Sequence, residues 1–135
     1  MKSNTLILSA AILVIFSGFV YWLIKTPGKP GELDGFATCL ADKGVIFYGA
    51  FWCPHCQAQK ALFGRSVSKL PYHECSTPDG NSQNKECTDA GVESYPTWVF
   101  PDGSRASGEQ TLETLAEKSQ CILPAGEVMA ATSTS

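Results

Sequence analysis

Hydrophobic and polar positions divide the chain into two unlike parts. From Thr5 to Ile24 the sequence TLILSAAILVIFSGFVYWLI runs for 20 residues without a charge, bracketed by Lys2 on one side and by Lys25 and Lys29 on the other. A helix of that length spans about 30 Å, the thickness of a bilayer's hydrocarbon core. Tyr21 and Trp22 stand near its end, where amphipathic rings favour the membrane interface. The pattern predicts an uncleaved transmembrane anchor over Thr5 to Ile24, with residues 1–25 as tail and anchor. A cleaved signal peptide is the rival reading. Its apolar stretch is usually about 7–15 residues long, and no small-x-small site follows this one directly. The lysines on the two sides roughly balance, so they do not orient the segment.

Beyond the apolar segment the periodicity becomes that of a small folded unit. Residues 26–34 (TPGKPGELD) are rich in Pro and Gly and read as a linker. Phe36 and Leu40 recur at helical spacing over 35–43, and Gly44 stops that helix. Val45 to Ala50 (VIFYGA) is a nearly continuous apolar run, as in a central strand covered on both faces. A helix follows from about Cys53 to Lys69, interrupted at Gly64, then a short strand from Leu70 to Cys75. Residues 76–84 form a polar loop, and Lys85 to Ala90 a short helix. Thr97–Phe100 and Ser104–Gly108 flank Pro101-Asp102-Gly103 as the arms of a hairpin. Thr111 caps a last helix, Leu112 to Ser119, with Leu112, Leu115 and Ala116 on one face. The order αβαβαββα predicts an α/β domain over 35–123, a mixed sheet of about four strands flanked by helices, and 124–135 as a flexible tail.

Composition narrows the function. The chain has 135 residues and a net charge of −3, with no basic run, which argues against nucleic acid as a partner. Its six cysteines are Cys39, Cys53, Cys56, Cys75, Cys87 and Cys121, an even number in a short chain. Together with the apolar N-terminus, this favours an oxidising, extracytoplasmic compartment for the folded unit. That inference, and not the flanking charge, places the domain outside the cytoplasm.

Cys53-Pro54-His55-Cys56 follows the apolar strand and opens a helix. At a helix N-terminus, unpaired N–H groups and the positive dipole end stabilise a thiolate, the species that attacks disulfides. A second thiol one turn on can resolve the mixed disulfide. Cys53 is therefore the expected nucleophile and Cys56 the expected resolving cysteine. His55 can place an imidazolium beside the thiolate, and Pro54 fits the first turn, where its missing N–H costs nothing. A thiolate stabilised in this way favours oxidation or isomerisation of substrate thiols over reduction. A zinc site is the competing reading, but zinc takes four ligands and no second CxxC or CxxH is present. Neither a metal nor a cofactor is expected.

With Trp52 before the motif and Tyr95-Pro96-Thr97 some 40 residues later, before a hairpin, these residues resemble the thioredoxin superfamily. FYGAFWCPHC over 47–56, with Gln59 to Gly64, Glu74-Cys75-Ser76, Lys85-Glu86-Cys87 and Ser94 to Trp98, is most similar to one subgroup. That subgroup is the thioredoxin-like domain fused to, or partnered with, bacterial vitamin K epoxide reductase homologues. The resemblance covers roughly residues 35 to 122. It implies a cis peptide before Pro96 beside the redox pair, with the neighbouring backbone receiving the substrate as an added strand; an ordinary trans proline is the alternative. It also implies a relay, in which the domain oxidises cysteines of secreted or membrane proteins. Electrons then pass to a membrane partner similar to vitamin K epoxide reductase, which reduces a quinone. One departure stands out: the buried acid common six positions before the first cysteine is here Phe47.

Cys75 and Cys87 flank the polar loop, and a disulfide between them would restrict the unfolded chain by roughly 3 kcal/mol. A second redox pair is the functional alternative. Cys39 and Cys121 remain, either paired or as buried free thiols, since thioredoxin-like topology tends to put first and last helices on opposite faces of the sheet. Two further functions compete with a disulfide-forming enzyme. One is a reductase or isomerase fed through the membrane, the other a non-catalytic module that holds unfolded chains in the groove beside Pro96.

Overall fold

The computed structural model describes residues 12–22 and 29–124. Residues 12–22 are helical, and the apolar side chains along them, Ile12 to Phe16 and Phe19 among them, are exposed. The rest of the predicted anchor, Thr5 to Ile24, lies outside the described residues, as do residues 26–28 of the linker and the tail from 125 on. Among the described residues no helix is long and apolar enough to cross a membrane.

The remaining elements alternate as the pattern predicts. Helix α1 (Asp34–Asp42) leads to strand β1 (Ile46–Gly49) through Gly44, whose φ of +79° suits a residue without Cβ. Helix α2 (Pro54–Leu62) passes at Phe63 into a 3₁₀ turn (Gly64–Lys69), because Gly64 turns to φ +49° and ends the α-helical run. Strand β2 (Tyr72–Glu74), helix α3 (Lys85–Asp89), strands β3 (Thr97–Val99) and β4 (Arg105–Ser107), and helix α4 (Leu112–Ser119) follow. Side chains cap two of these helices: Asn84 accepts from the Cys87 N–H, and Thr111 from the Thr114 N–H.

The strands form one mixed sheet in the order β2-β1-β3-β4. β1 runs parallel to β2 and antiparallel to β3, and β3 is antiparallel to β4. Strand alternation sends Phe47 to one face and Tyr48 to the other. Phe47 is fully buried and stacks on its register partner Trp98, ring centroids 4.5 Å apart, with Tyr72 edge-on at 5.1 Å. Around this aromatic layer gather Phe36, Ala37 and Leu40 of α1, Cys56 of α2, Phe63, and Leu112 and Leu115 of α4. The opposite face carries a smaller cluster of Cys75, Cys87 and Val92, packed against Tyr48 and Tyr95. This mixed four-stranded sheet with its helices fits the thioredoxin-like fold.

The cysteines correct one expectation. α1 and α4 share a single core on the same face, and Cys39 is bonded to Cys121 across 82 residues of sequence. The expected placement of first and last helices on opposite faces does not hold, because both bury their apolar stripes against the Phe47–Trp98 layer. Cys75 is bonded to Cys87, 12 residues on, beneath the polar loop.

Loop-closure entropy predicts that these cross-links differ in weight. Replacing Cys39 and Cys121 with alanine should cost about 4–5 kcal/mol, and replacing Cys75 and Cys87 roughly 3 kcal/mol. Urea denaturation of the two double variants checks this order. A smaller loss from the long-range pair would refute it.

Candidate active site

β1 delivers the chain to Ala50, and a tight turn, Cys53 N–H to Ala50 C=O at 3.1 Å, brings Cys53 to the N-cap of α2. Pro54 occupies the first helical turn, where no N–H is needed. Cys53 and Cys56 are both unbonded thiols. Both are buried, Cys56 completely and Cys53 with 5% of its surface exposed, so Cys53 is the less enclosed of the two. The peptide between Tyr95 and Pro96 is cis, and Pro96 is buried. The Cys53 thiol points at the Tyr95 carbonyl, 3.8 Å away. Cys53, Cys56, Tyr95 and Pro96 thus meet at one end of the sheet, between the β1–α2 turn and the start of β3.

Cys56 sits directly on the strand. A Cβ at Gly49 would lie 2.8 Å from the Cys56 Sγ and 2.9 Å from a Tyr72 ring carbon, so the close approach exists only because residue 49 is glycine. Burial, the largest cause, pushes the Cys56 thiol up to about 12; the neighbouring Cys53 also raises it, and the Ala50 backbone and Lys60 oppose the rise. At neutral pH Cys56 is therefore a thiol. Burial also holds the Tyr72 hydroxyl well above its ordinary value, reinforced by its hydrogen bond to Glu74.

Trp52 and His55 flank the pair. Trp52 is 49% exposed, and its indole N–H donates to Ser76 Oγ at 2.9 Å. Its ring meets Tyr95 edge to face at 6.0 Å. His55 lies open to solvent, with Nδ1 2.6 Å from Glu109 Oε1. Cys75 and Cys87, the candidate disulfide, lie beneath Tyr95 on the sheet's other face, not beside Cys53. Among the described residues no cluster of His, Cys, Asp and Glu is arranged to hold a metal ion.

Several contributors to this site escape a sequence reading. Glu74 accepts from the Phe51 N–H at 3.2 Å, the Ser76 N–H at 2.9 Å and the Tyr72 hydroxyl at 2.7 Å, tying the turn before Cys53 to the end of β2. The Lys60 ammonium lies 3.2 Å over the Tyr72 ring. Gln59 is fully buried, its amide accepting from the Gln110 N–H at 2.6 Å and donating to the Gln110 carbonyl at 3.0 Å. The one sequence signal among these was Gln59, a polar residue one turn after Cys56 on the helix's inner face. Glu74 and Glu109 look like ordinary surface acids until the fold brings them in.

No family model matches the chain. Over 79 residues it is 48% identical to the thiol-disulfide oxidoreductase LTO1 of Arabidopsis thaliana, a stretch that covers 55% of this chain and 20% of that protein. The chain therefore matches only about a fifth of that relative's length.

Three outcomes follow from the burial of Cys56 and its contact with Gly49. In a Cys53→Ser variant, Cys56 should form thiolate only well above the ~8.5 of a free cysteine, read from thiolate absorbance; a midpoint at or below that value would show that burial does not control it. Because the folded thiol holds its proton more tightly than the unfolded chain, unfolding releases that proton between the ordinary value and about 12. The reduced protein should accordingly lose stability as pH rises through that window. Gly49→Ala should destabilise the reduced protein by about 1–3 kcal/mol through overpacking against Cys56 and Tyr72, measured by denaturant titration. A neutral result would mean that the two side chains can move aside.

Proposed function

We propose that this chain is a protein thiol–disulfide oxidoreductase whose Cys53–Cys56 pair forms disulfides in extracytoplasmic proteins. The observation that carries the reading is the pair itself. Two unbonded cysteines lie one turn apart at a helix N-terminus, the first nearly buried with its thiol on the carbonyl before a cis-proline, the second fully enclosed. The name of the 48%-identical relative supports the same chemistry.

In the oxidised protein, Cys53 and Cys56 are joined. A substrate thiolate attacks the Cys53 sulfur, a substrate–Cys53 disulfide forms, and Cys56 leaves as a thiolate. Buried as it is, Cys56 takes up a proton and keeps it. A second substrate thiolate then attacks the substrate sulfur of the mixed disulfide. The substrate disulfide forms, and Cys53 leaves as a thiolate in the helix N-terminal field. The substrate has lost two electrons, and the dithiol of this structure is the reduced product. Trp52, Pro54, His55, Tyr95 and Pro96 shape the site around that exchange.

A second oxidant must remove those two electrons. In this proposal it is a membrane partner similar to vitamin K epoxide reductase homologues, which passes them to a quinone; the sequence resemblance supports that assignment. The segment Thr5 to Ile24 anchors the chain in the membrane, with residues 35–123 on the extracytoplasmic side. The exposed apolar side chains over 12–22 and the two disulfides, which persist in oxidising compartments, support this placement.

Cys53→Ser should abolish oxidative refolding of reduced ribonuclease, and unchanged activity would remove the redox role. A Cys53–Cys56 potential near that of thioredoxin, about −270 mV, would sink the oxidising direction and favour the reductase alternative. Cys56→Ala lacks the resolving thiol, so mixed disulfides at Cys53 should accumulate in intact membranes and include an integral membrane quinone reductase. Capture of cytosolic proteins alone would refute the topology.

A further inference from the structure

Trp52, which precedes Cys53, and Tyr95, whose carbonyl meets the Cys53 thiol, line a cleft of about 220 Å³ together with Gly80, Asn81, Ser82 and Gln83. Its two walls differ. One is aromatic, the Trp52 and Tyr95 rings set edge to face. The other is the polar loop between the second pair of cysteines, which passes close enough that a Cβ on Gly80 would lie 3.6 Å from the Trp52 ring. Among the described residues no charged side chain lines the cleft.

The cleft is held in shape from several directions. The Trp52 indole is fixed by Ser76, and the Tyr95 hydroxyl donates to the Gln83 side-chain carbonyl. The Gln83 amide donates in turn to the Val92 carbonyl at 3.0 Å. A bridge between Ser76 and Gln83 and the Cys75–Cys87 disulfide close the base of the loop. Both rings are therefore immobilised before anything binds, which lowers the entropy lost on binding.

We infer that this cleft is a side-chain subsite of the exchange reaction, taking an uncharged aromatic or apolar residue next to the reacting cysteine of a substrate polypeptide. Tyr95 links the two places: its carbonyl meets the Cys53 thiol and its ring walls the cleft. A substrate sulfur joined to Cys53 leaves its neighbouring residue within one residue's span, about 3.8 Å along the chain. The volume lies below the ~300–1,000 Å³ of small-molecule pockets, and it suits one side chain. Ring walls reward an aromatic face, whereas a carboxylate or ammonium would lose water there and find no opposite charge. The groove expected beside Pro96 takes up the substrate's main chain, which carries no residue identity; this cleft adds a choice among side chains.

The inference rests on the disulfide-exchange reading, and its test separates the two. The full chain, its redox pair oxidised with excess oxidised glutathione, is mixed with single-cysteine peptides bearing Tyr, Ser or Asp before or after the cysteine. Each rate of protein disulfide reduction is divided by the same peptide's rate with a small aromatic disulfide, which removes differences in thiol reactivity. At one of the two positions Tyr should exceed Ser and Asp by about fivefold or more. Ser82→Trp, at an exposed position on the cleft rim, should fill the space and erase that ratio. A Tyr-to-Ser ratio within twofold at both positions overturns the subsite, as does a preference that survives Ser82→Trp. Failure of the wild-type pair to exchange even with reduced glutathione would instead bring down the redox function itself.

Discussion

The contact between Cys56 and the backbone of β1 at Gly49 is the constraint on which the site depends. Helix α2 can begin where it does only because nothing projects from residue 49 toward the Cys56 sulfur or the Tyr72 ring. That approach seals Cys56 completely, and the burial raises the proton affinity of its thiol, while Cys53 keeps the small exposure that remains to the pair. The difference between the two cysteines is thus an effect of packing.

The aromatic layer at Phe47 and Trp98 supports that contact and has a chemical consequence. Six positions before Cys53, this chain buries a ring stacked on another ring. The polar groups that approach Cys56 come from elsewhere: Lys60 on α2 itself and, across Gly49, Tyr72 with its hydrogen-bonded Glu74. Glu74 also fixes the backbone at Phe51. One carboxylate at the end of β2 therefore orders the turn before Cys53 and anchors the Tyr72 hydroxyl.

The two disulfides serve different parts of the molecule. Cys39–Cys121 joins the helices that cover the Phe47–Trp98 face and closes most of the folded chain into a ring, which is valuable where the core is small. Cys75–Cys87 works locally, under the loop that leans on Trp52 and Tyr95. Neither involves Cys53 or Cys56, which are unbonded.

Much of this was legible in the sequence. The helix and strand order, the breaks at Gly44 and Gly64, the Thr111 cap and the placing of Cys53 and Cys56 at a strand-to-helix junction all rest on neighbours within a few residues, where periodicity and turn chemistry act directly. The apolar run from Thr5 to Ile24 is likewise a local pattern, and only residues 12–22 of it are described here. What required the tertiary structure was every partnership across long stretches of chain. The Cys39–Cys121 bond, the reach of Glu109 to His55 over 54 residues, and the loop wall facing Trp52 depend on which face each helix covers. Periodicity says that a helix has an apolar face, but not which side of the sheet will receive it; that choice is made by the summed packing of all the helices on the aromatic layer.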